Sequence, residues 1–231
     1  MASPFRLRAA LIDLDGTLVD SAPELAAALD TMLAELGHPP AGETRVRQWV
    51  GGGVGVLVEQ GLYHALGRAP TDAEREQGRT LFRSAYDDRV GHRGPVYPGV
   101  FTGLDRLRAT GVHLACVTNK IRRFTAPMLE RLELIDYFDT VVAGDDAAAL
   151  KPDPAMLLLA AERLGVDPAH CVMIGDSAID VAAARNAGMP VWCLRSGYGG
   201  SEPVDAAGPD AAFDRFDELA EALVISLGRE D

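Results

Sequence analysis

From residue 99 onward the sequence alternates between continuous apolar runs of strand length and amphipathic runs of helical length. VFTGLDRLRATG is a helical pattern closed by Gly111, and the apolar run 112–117 in VHLACVTN follows it as a strand. IRRFTAPMLERLEL reads as a helix, TVVAGDD as a short strand, and PAMLLLAAERLG as a helix stopped at Gly165. HCVMIGDS is another buried strand, AIDVAAARNAG a helix with a glycine stop, and PVWCLRSGYGG a strand entering a glycine-rich loop. AAF and FDELAEALVISL supply a last short strand and helix. Strands that are apolar on both faces and separated by helices require a parallel sheet covered on both sides. The expected fold class is therefore α/β, a Rossmann-like parallel sheet covered by helices on both faces, with LIDLD (residues 11–15) in its first strand.

The alternation stops over residues 19–89. SAPELAAALDTMLAELG carries Ser21 followed by Glu24, a capping-box spacing, and then apolar residues at helical intervals. ETRVRQWV, VGVLVEQGLYHALG and TDAEREQGRTLFRSAYDDRV also read as helices, with no strand pattern among them. An all-helical domain inserted over 19–90 is expected, the core being 1–18 and 91–231. GHRGPVYPGV, with three glycines and two prolines, would be the return hinge.

Composition narrows the partners. With 22 basic and 34 acidic residues the net charge is −12, which gives no general reason to bind nucleic acid or anionic lipid. No run approaches the roughly 20 apolar residues of a membrane span. MASPFRLRAA leads straight into the first strand without the form of a signal peptide, so a cytoplasmic protein is expected. Cys116, Cys171 and Cys193 lie far apart in apolar runs and are expected to be free, buried thiols. An anionic small molecule would need a local group of cations and a divalent metal. Oligomeric state is not legible.

Ligands of an open parallel sheet bind beyond the carboxyl ends of its strands. There the sequence places Asp13 and Asp15, Thr118 and Asn119, Asp145 and Asp146, and Asp176 and Ser177, with Lys151 in the loop LKPDP. A lone strand-end aspartate is most simply a turn former or helix cap. Several together repel unless a cation neutralises them, and Mg²⁺ is the hard ion that keeps exchangeable waters for a phosphate to replace. Asp13 and Asp15 are two residues apart, but a turn at Gly16 lets them diverge, one as nucleophile and the other as proton carrier. Thr118 and Asn119 offer hydrogen bonds and Lys151 a fixed charge, a set suited to phosphoryl transfer.

DLDGTLVDS, VTNK, the KPDP lysine and GDSAIDVAAARNAG resemble, in this order, the four motifs of the haloacid-dehalogenase superfamily, and the helical insert resembles its C1 cap. The resemblance implies Asp13 as the nucleophile that forms an aspartyl phosphate and Asp15 as general acid and base. It implies Thr118 and Lys151 as phosphate-binding residues, and Mg²⁺ held by the Asp13 side chain, the Asp15 carbonyl and Asp176. Asp180 would support Lys151 or the metal site, with Ser177 beside it. Dehalogenases of the superfamily lack the second aspartate, so Asp15 points to phosphate chemistry.

Within the superfamily, DSAPELAAALDTMLAELG, RVRQWVGGGVGVLVEQGL, VTNK and SGYG look most like the bacterial phosphoglycolate phosphatases. A small phosphorylated metabolite, foremost 2-phosphoglycolate, is the implied substrate. A sugar phosphate, a nucleotide, pyrophosphate or a phosphomutase reaction is the alternative on the same scaffold, and a non-catalytic binding protein is a remote one. Gly51, Gly52 and Gly53 open a helix whose N–H groups would suit an anion, or simply make a turn. Gly16 and Lys120 complete the candidate substrate contacts. Arg122 and Arg123 lie close to them in sequence, and Ile121 stands where the family often has proline.

Overall fold

The structure is a computed structural model, and it describes residues 7–198 and 204–227. Residues 1–6 and the expected loop glycines Gly199 and Gly200 lie outside them. Six parallel strands form one sheet: β1 (Ala9–Ile12), β2 (His113–Val117), β3 (Thr140–Val142), β4 (Cys171–Gly175), β5 (Val191–Leu194) and β6 (Ala211–Phe213). Their spatial order is β3-β2-β1-β4-β5-β6, so β1 is central. The chain moves outward from β1 through β2 to β3, then returns to the other side of β1 as β4. The crevice at the carboxyl end of β1 is thus the topological switch point.

The alternation of side chains along each strand divides the core in two. Ala10, Ile12, Leu114, Cys116, Val172 and Ile174 face one hydrophobic cluster. It is covered by α5 (Val100–Ala109), α6 (Arg122–Arg131) and α9 (Phe216–Leu227). Ala9, Leu11, Ala115, Val117, Cys171 and Met173 face the other, beneath α7 (Ala155–Leu164) and α8 (Ala178–Ala187). The α/β fold read from the alternating pattern is borne out, and all three cysteines are free and buried.

Between β1 and β2 run α1 (Ala22–Glu35), α2 (Glu43–Trp49), α3 (Gly53–Leu66) and α4 (Asp72–Asp87). Their apolar faces, including Leu29, Met32, Leu62, Phe82 and Tyr86, join the first hydrophobic cluster. The two chain segments that connect this block to the sheet lie side by side. Val19 bridges Val96 antiparallel, Asp20 N–H donates to the Pro95 carbonyl at 2.9 Å, and Tyr97 N–H donates to that of Leu18 at 2.9 Å. Among the described residues no helix is long and apolar enough to cross a membrane.

The capping box expected from Ser21 and Glu24 does not form. Ser21 makes no side-chain cap, and its hydroxyl donates instead to Asp15 at 2.5 Å. The buried Glu24 carboxylate turns away from its own helix and accepts backbone N–H bonds from Gly91, Arg93 and Gly94 in the return segment. Three backbone donors of the return segment satisfy a carboxylate better than one local cap contact. Glu24 therefore anchors the second connection.

Candidate active site

Asp13 follows β1 directly and Asp176 follows β4, so the pairing of those two strands sets their carboxylates side by side. Ligand oxygens of Asp13, Asp176 and Asp180 lie within 4.8 Å of one another, and all three residues are buried. Burial pushes the Asp13 carboxyl up to about 7 and raises that of Asp176 well above the ordinary range, because desolvation penalises the charged form. Such a cluster is stable as carboxylates only with compensating cations nearby.

Lys151 is one of them. Its ammonium, in a residue 3% exposed, donates to Asp180 Oδ1 at 2.7 Å and the Val117 carbonyl at 3.0 Å and pairs with Asp13 Oδ1 at 2.9 Å. The two carboxylates hold the ammonium pKa above its ordinary value against desolvation. The backbone of Lys151 is clamped by Asn119, whose Oδ1 accepts from Lys151 N–H at 2.9 Å and whose Nδ2 donates to its carbonyl at 3.0 Å. The same Nδ2 donates to Gly51 of the helical block at 2.9 Å.

Asp180 belongs to a capping box at the start of α8: its Oδ2 accepts from Ser177 N–H and Oγ and from Asp176 N–H, while Ser177 Oγ caps Asp180 N–H. With Lys151 on its other oxygen, Asp180 has its lone pairs engaged. Asp13 meets Lys151 at Oδ1 alone and Asp176 accepts one bond at each oxygen, so both keep lone pairs and are the side chains that could hold a hard cation. Asp176 is gripped from two sides, by Thr17 Oγ1 at 2.9 Å and Tyr198 N–H at 2.7 Å. The backbone comes so close that a Cβ on Gly16 would lie 2.4 Å from its Oδ2 and one on Gly197 would lie 2.2 Å from its Cβ. Only glycine fits at either position, and Gly16 also adopts φ +92°.

Asp15 points elsewhere. Its Oδ1 receives Ser21 Oγ and, at 3.1 Å, Lys120 Nζ. Lys120 is buried, donates to the Tyr86 hydroxyl at 3.0 Å and sits 4.9 Å from the centre of that ring. Asp13, Asp15, Thr118, Asn119 and Lys120 line one wall of a cleft of about 410 Å³, mouth included. Leu25, Val50, Gly51, Gly53, Val54 and Leu57 line the facing wall. Of the other expected contacts, Gly16 spends its N–H on the Val19 carbonyl and Gly52 is the N-cap of α3, and neither lines this cleft.

Asp145 and Asp146 do not join the cluster. Asp146 pairs with Arg122 and Arg163, and the Arg122 contact holds its carboxyl down to about 2. Asp145 accepts the Arg122 N–H at 2.7 Å, and Arg123 pairs with Asp87. These charges neutralise one another at the surface. Thr17 and Tyr198 are not singled out in the sequence, and Ser21 only as a helix cap. A hydroxyl beside a carboxylate motif is a faint signal, and Tyr198 is 22 residues from the carboxylate it holds.

The model of the haloacid dehalogenase-like hydrolases matches residues 7–188, a span that contains every residue of this cluster except Gly197 and Tyr198, and the chain belongs to that family. The protein is a hydrolase. It is 43% identical over 213 residues to "Phosphoglycolate phosphatase" of Nitrosococcus oceani, covering 92% of this chain and 95% of that one. To "Phosphoglycolate phosphatase, plasmid" of Cupriavidus necator the identity is 45% over 215 residues, with 93% and 92% covered. A crystal structure of a "predicted phosphoglycolate phosphatase" from Haemophilus somnus superposes with a TM-score of 0.89 at 30% identity, covering 96% of this chain and all of the other.

Proposed function

We propose that the protein is a Mg²⁺-dependent phosphomonoester hydrolase that converts 2-phosphoglycolate to glycolate and phosphate. The single observation that carries this reading is the contact of Lys151 with both Asp13 and Asp180, which aims a fixed cation at an oxygen of a strand-end carboxylate. The relatives' names supply the substrate.

Asp13 attacks phosphorus through a carboxylate oxygen, and the bond from phosphorus to the glycolate oxygen breaks as the aspartyl phosphate forms. Asp15, 3.1 Å from Lys120 and hydrogen-bonded by Ser21, delivers a proton to the leaving oxygen. It then takes a proton from the water that attacks the acyl phosphate, releasing phosphate and restoring Asp13. Thr118 offers its hydroxyl, and Lys151 its charge, to the phosphoryl oxygens. Asp13, Asp176 and the Asp15 carbonyl are the Mg²⁺ ligands, and the metal supplies neutralisation of the phosphoryl charge. The donor set fits: two buried carboxylates with raised pKa values, next to a third that is already saturated.

Residues 19–90 act as a cap, hinged at the paired segments around Val19 and Val96, which closes over the cleft and excludes water during transfer. The α3 opening at Gly51 to Gly53 faces the substrate from the cap side. Phosphate release from a panel of 2-phosphoglycolate, sugar phosphates, nucleotides and pyrophosphate, with and without Mg²⁺, tests the reading. Highest kcat/KM on 2-phosphoglycolate is expected. Preference for another member keeps the mechanism and rejects the substrate, phosphoryl return to a sugar points to a phosphomutase, and inertness to all of them rejects both.

A further inference from the structure

We propose that Tyr198 is a positioning residue that ties docking of the helical cap to the carboxylate of Asp176, through Asp20 and Arg47. The inference rests on the reading of Asp176 as a metal ligand and adds a route by which the cap acts on it.

One residue makes contacts of two kinds. Its backbone N–H donates to Asp176 Oδ2 at 2.7 Å. Its hydroxyl accepts from Ala22 N–H at 2.8 Å, at the first turn of α1, and donates to Asp20 Oδ1 at 2.9 Å. The other Asp20 oxygen takes Arg47 Nη2 at 2.8 Å, from α2 of the cap. The Arg47 guanidinium also lies 5.7 Å from the centre of the Tyr198 ring. An unbroken chain of contacts therefore runs from a cap helix, across the first hinge, to the carboxylate beside Asp13.

The contacts are stiff where they meet the site. Gly197 packs its Cα directly on Asp176, so the backbone at 197–198 and the carboxylate cannot shift independently. The Tyr198 hydroxyl has its donor and its acceptor both engaged, which fixes the ring. They are softer at the cap end, where the Arg47 side chain is 37% exposed and shared with Glu43 on its own helix. That is the expected form of a latch: a detachable cation at the moving element and rigid bonds at the site. Undocking the cap withdraws Arg47 from Asp20 and the ring, which loosens the hydroxyl of Tyr198 and with it the grip on Asp176. Coupling is reciprocal, so a cation held at Asp176 also favours the docked cap.

The test is calorimetric titration of the full-length, metal-free protein with Mg²⁺, without substrate. Tyr198→Phe keeps the ring and the backbone N–H and removes only the hydroxyl; Arg47→Met keeps a long apolar stem. Each is expected to weaken Mg²⁺ binding by about tenfold, the loss typical when a group behind a metal ligand is removed. The double variant is expected to be no weaker than the worse single one, because both cut one chain. Glu43→Gln, which leaves Asp20 and Tyr198 in place, is expected to bind as the parent does. In a second readout, Mg²⁺ is expected to slow proteolysis of the two connecting segments in the parent and not in Arg47→Met.

Mg²⁺ affinities within about twofold of the parent in both single variants overturn the proposal, being far below the outer-partner effect. Fully additive losses overturn it as well. Should Tyr198→Phe fail to fold, Arg47→Met decides alone. A parent protein that takes up no Mg²⁺ overturns the metal reading itself, an outcome distinct from normal binding in parent and variants alike.

Discussion

Across the cleft two unlike walls face each other. The sheet side presents Asp13, Asp15, Thr118 and Lys120, each held by side-chain or backbone bonds that leave it one direction to point. The helical side presents Leu25, Val50, Val54 and Leu57 with Gly51 and Gly53, and none of these carries a charge. The difference separates two tasks. On the proposed reading, charge to be aimed at phosphorus sits on strand ends, where neighbouring strands fix the backbone, while shape to fit a leaving group sits on the helical element proposed to close as a cap. That reading expects binding energy from the second wall to act on substrate choice and on KM, and the first wall to act on kcat.

The sharpest way to break that division is Asp13→Asn. Phosphate release is expected to fall by at least about 10³-fold, as when a nucleophile is removed from other enzymes. Activity that survives in a steady-state assay removes Asp13 from the chemistry and the contrast between the walls with it.

Lys151→Met comes next, and its readout is stability. The change leaves Asp13 and Asp180 buried without their shared cation, which is expected to cost about 3 kcal/mol or more in urea unfolding of the metal-free protein. A cost under about 1 kcal/mol would mean that these carboxylates are held neutral, and that the sheet wall is less charged than its residues suggest.

The helical wall is probed by Gly53→Ala. Gly53 has φ +82°, and a methyl there would lie 3.3 Å from the Asn119 carbonyl, pressing the opening of α3 away from the sheet. KM for 2-phosphoglycolate is expected to rise about tenfold, with kcat changed by less than about threefold, the pattern of lost uniform binding. A fall in kcat as large as the rise in KM would show that this wall takes part in the chemical step. The smallest effect is expected from Arg123→Ala, which removes an exposed cap-to-core ion pair with Asp87. Its unfolding midpoint and kcat/KM should match the parent, since exposed pairs contribute little. A clear change in kcat/KM would extend the docking contacts well beyond Tyr198 and Arg47.

The strand-end residues were legible because β-strand periodicity and βαβ alternation leave few places for Asp13, Thr118, Asp176 and the loop residue Lys151 to go. Ser21 and Glu24 were misread for a physical reason. Their spacing is that of a capping box, and Thr71 with Glu74 and Ser177 with Asp180 do form such boxes. At Ser21 the local option lost to Asp15, and at Glu24 it lost to three N–H groups roughly seventy residues away. Local spacing carries no information about distant competitors for the same oxygen. Asp145 and Asp146 failed likewise, drawn outward by Arg122 and Arg163.

By itself, then, the sequence determined the α/β class, the helical insert after the first strand, and the set of carboxylates, threonine and lysine that the sheet gathers at one edge. Those follow from short-range periodicity and from the rule that parallel strands present their carboxyl ends together. Only the tertiary structure decided which carboxylates keep lone pairs to spare, that Lys120 serves Asp15 while Lys151 serves Asp13 and Asp180, and that Tyr198 joins the helical block to the sheet side. Each of those outcomes is a competition among donors and acceptors far apart in the chain. Burial settles such contests, because an unpaired charge inside a dry site costs more than any local preference can return.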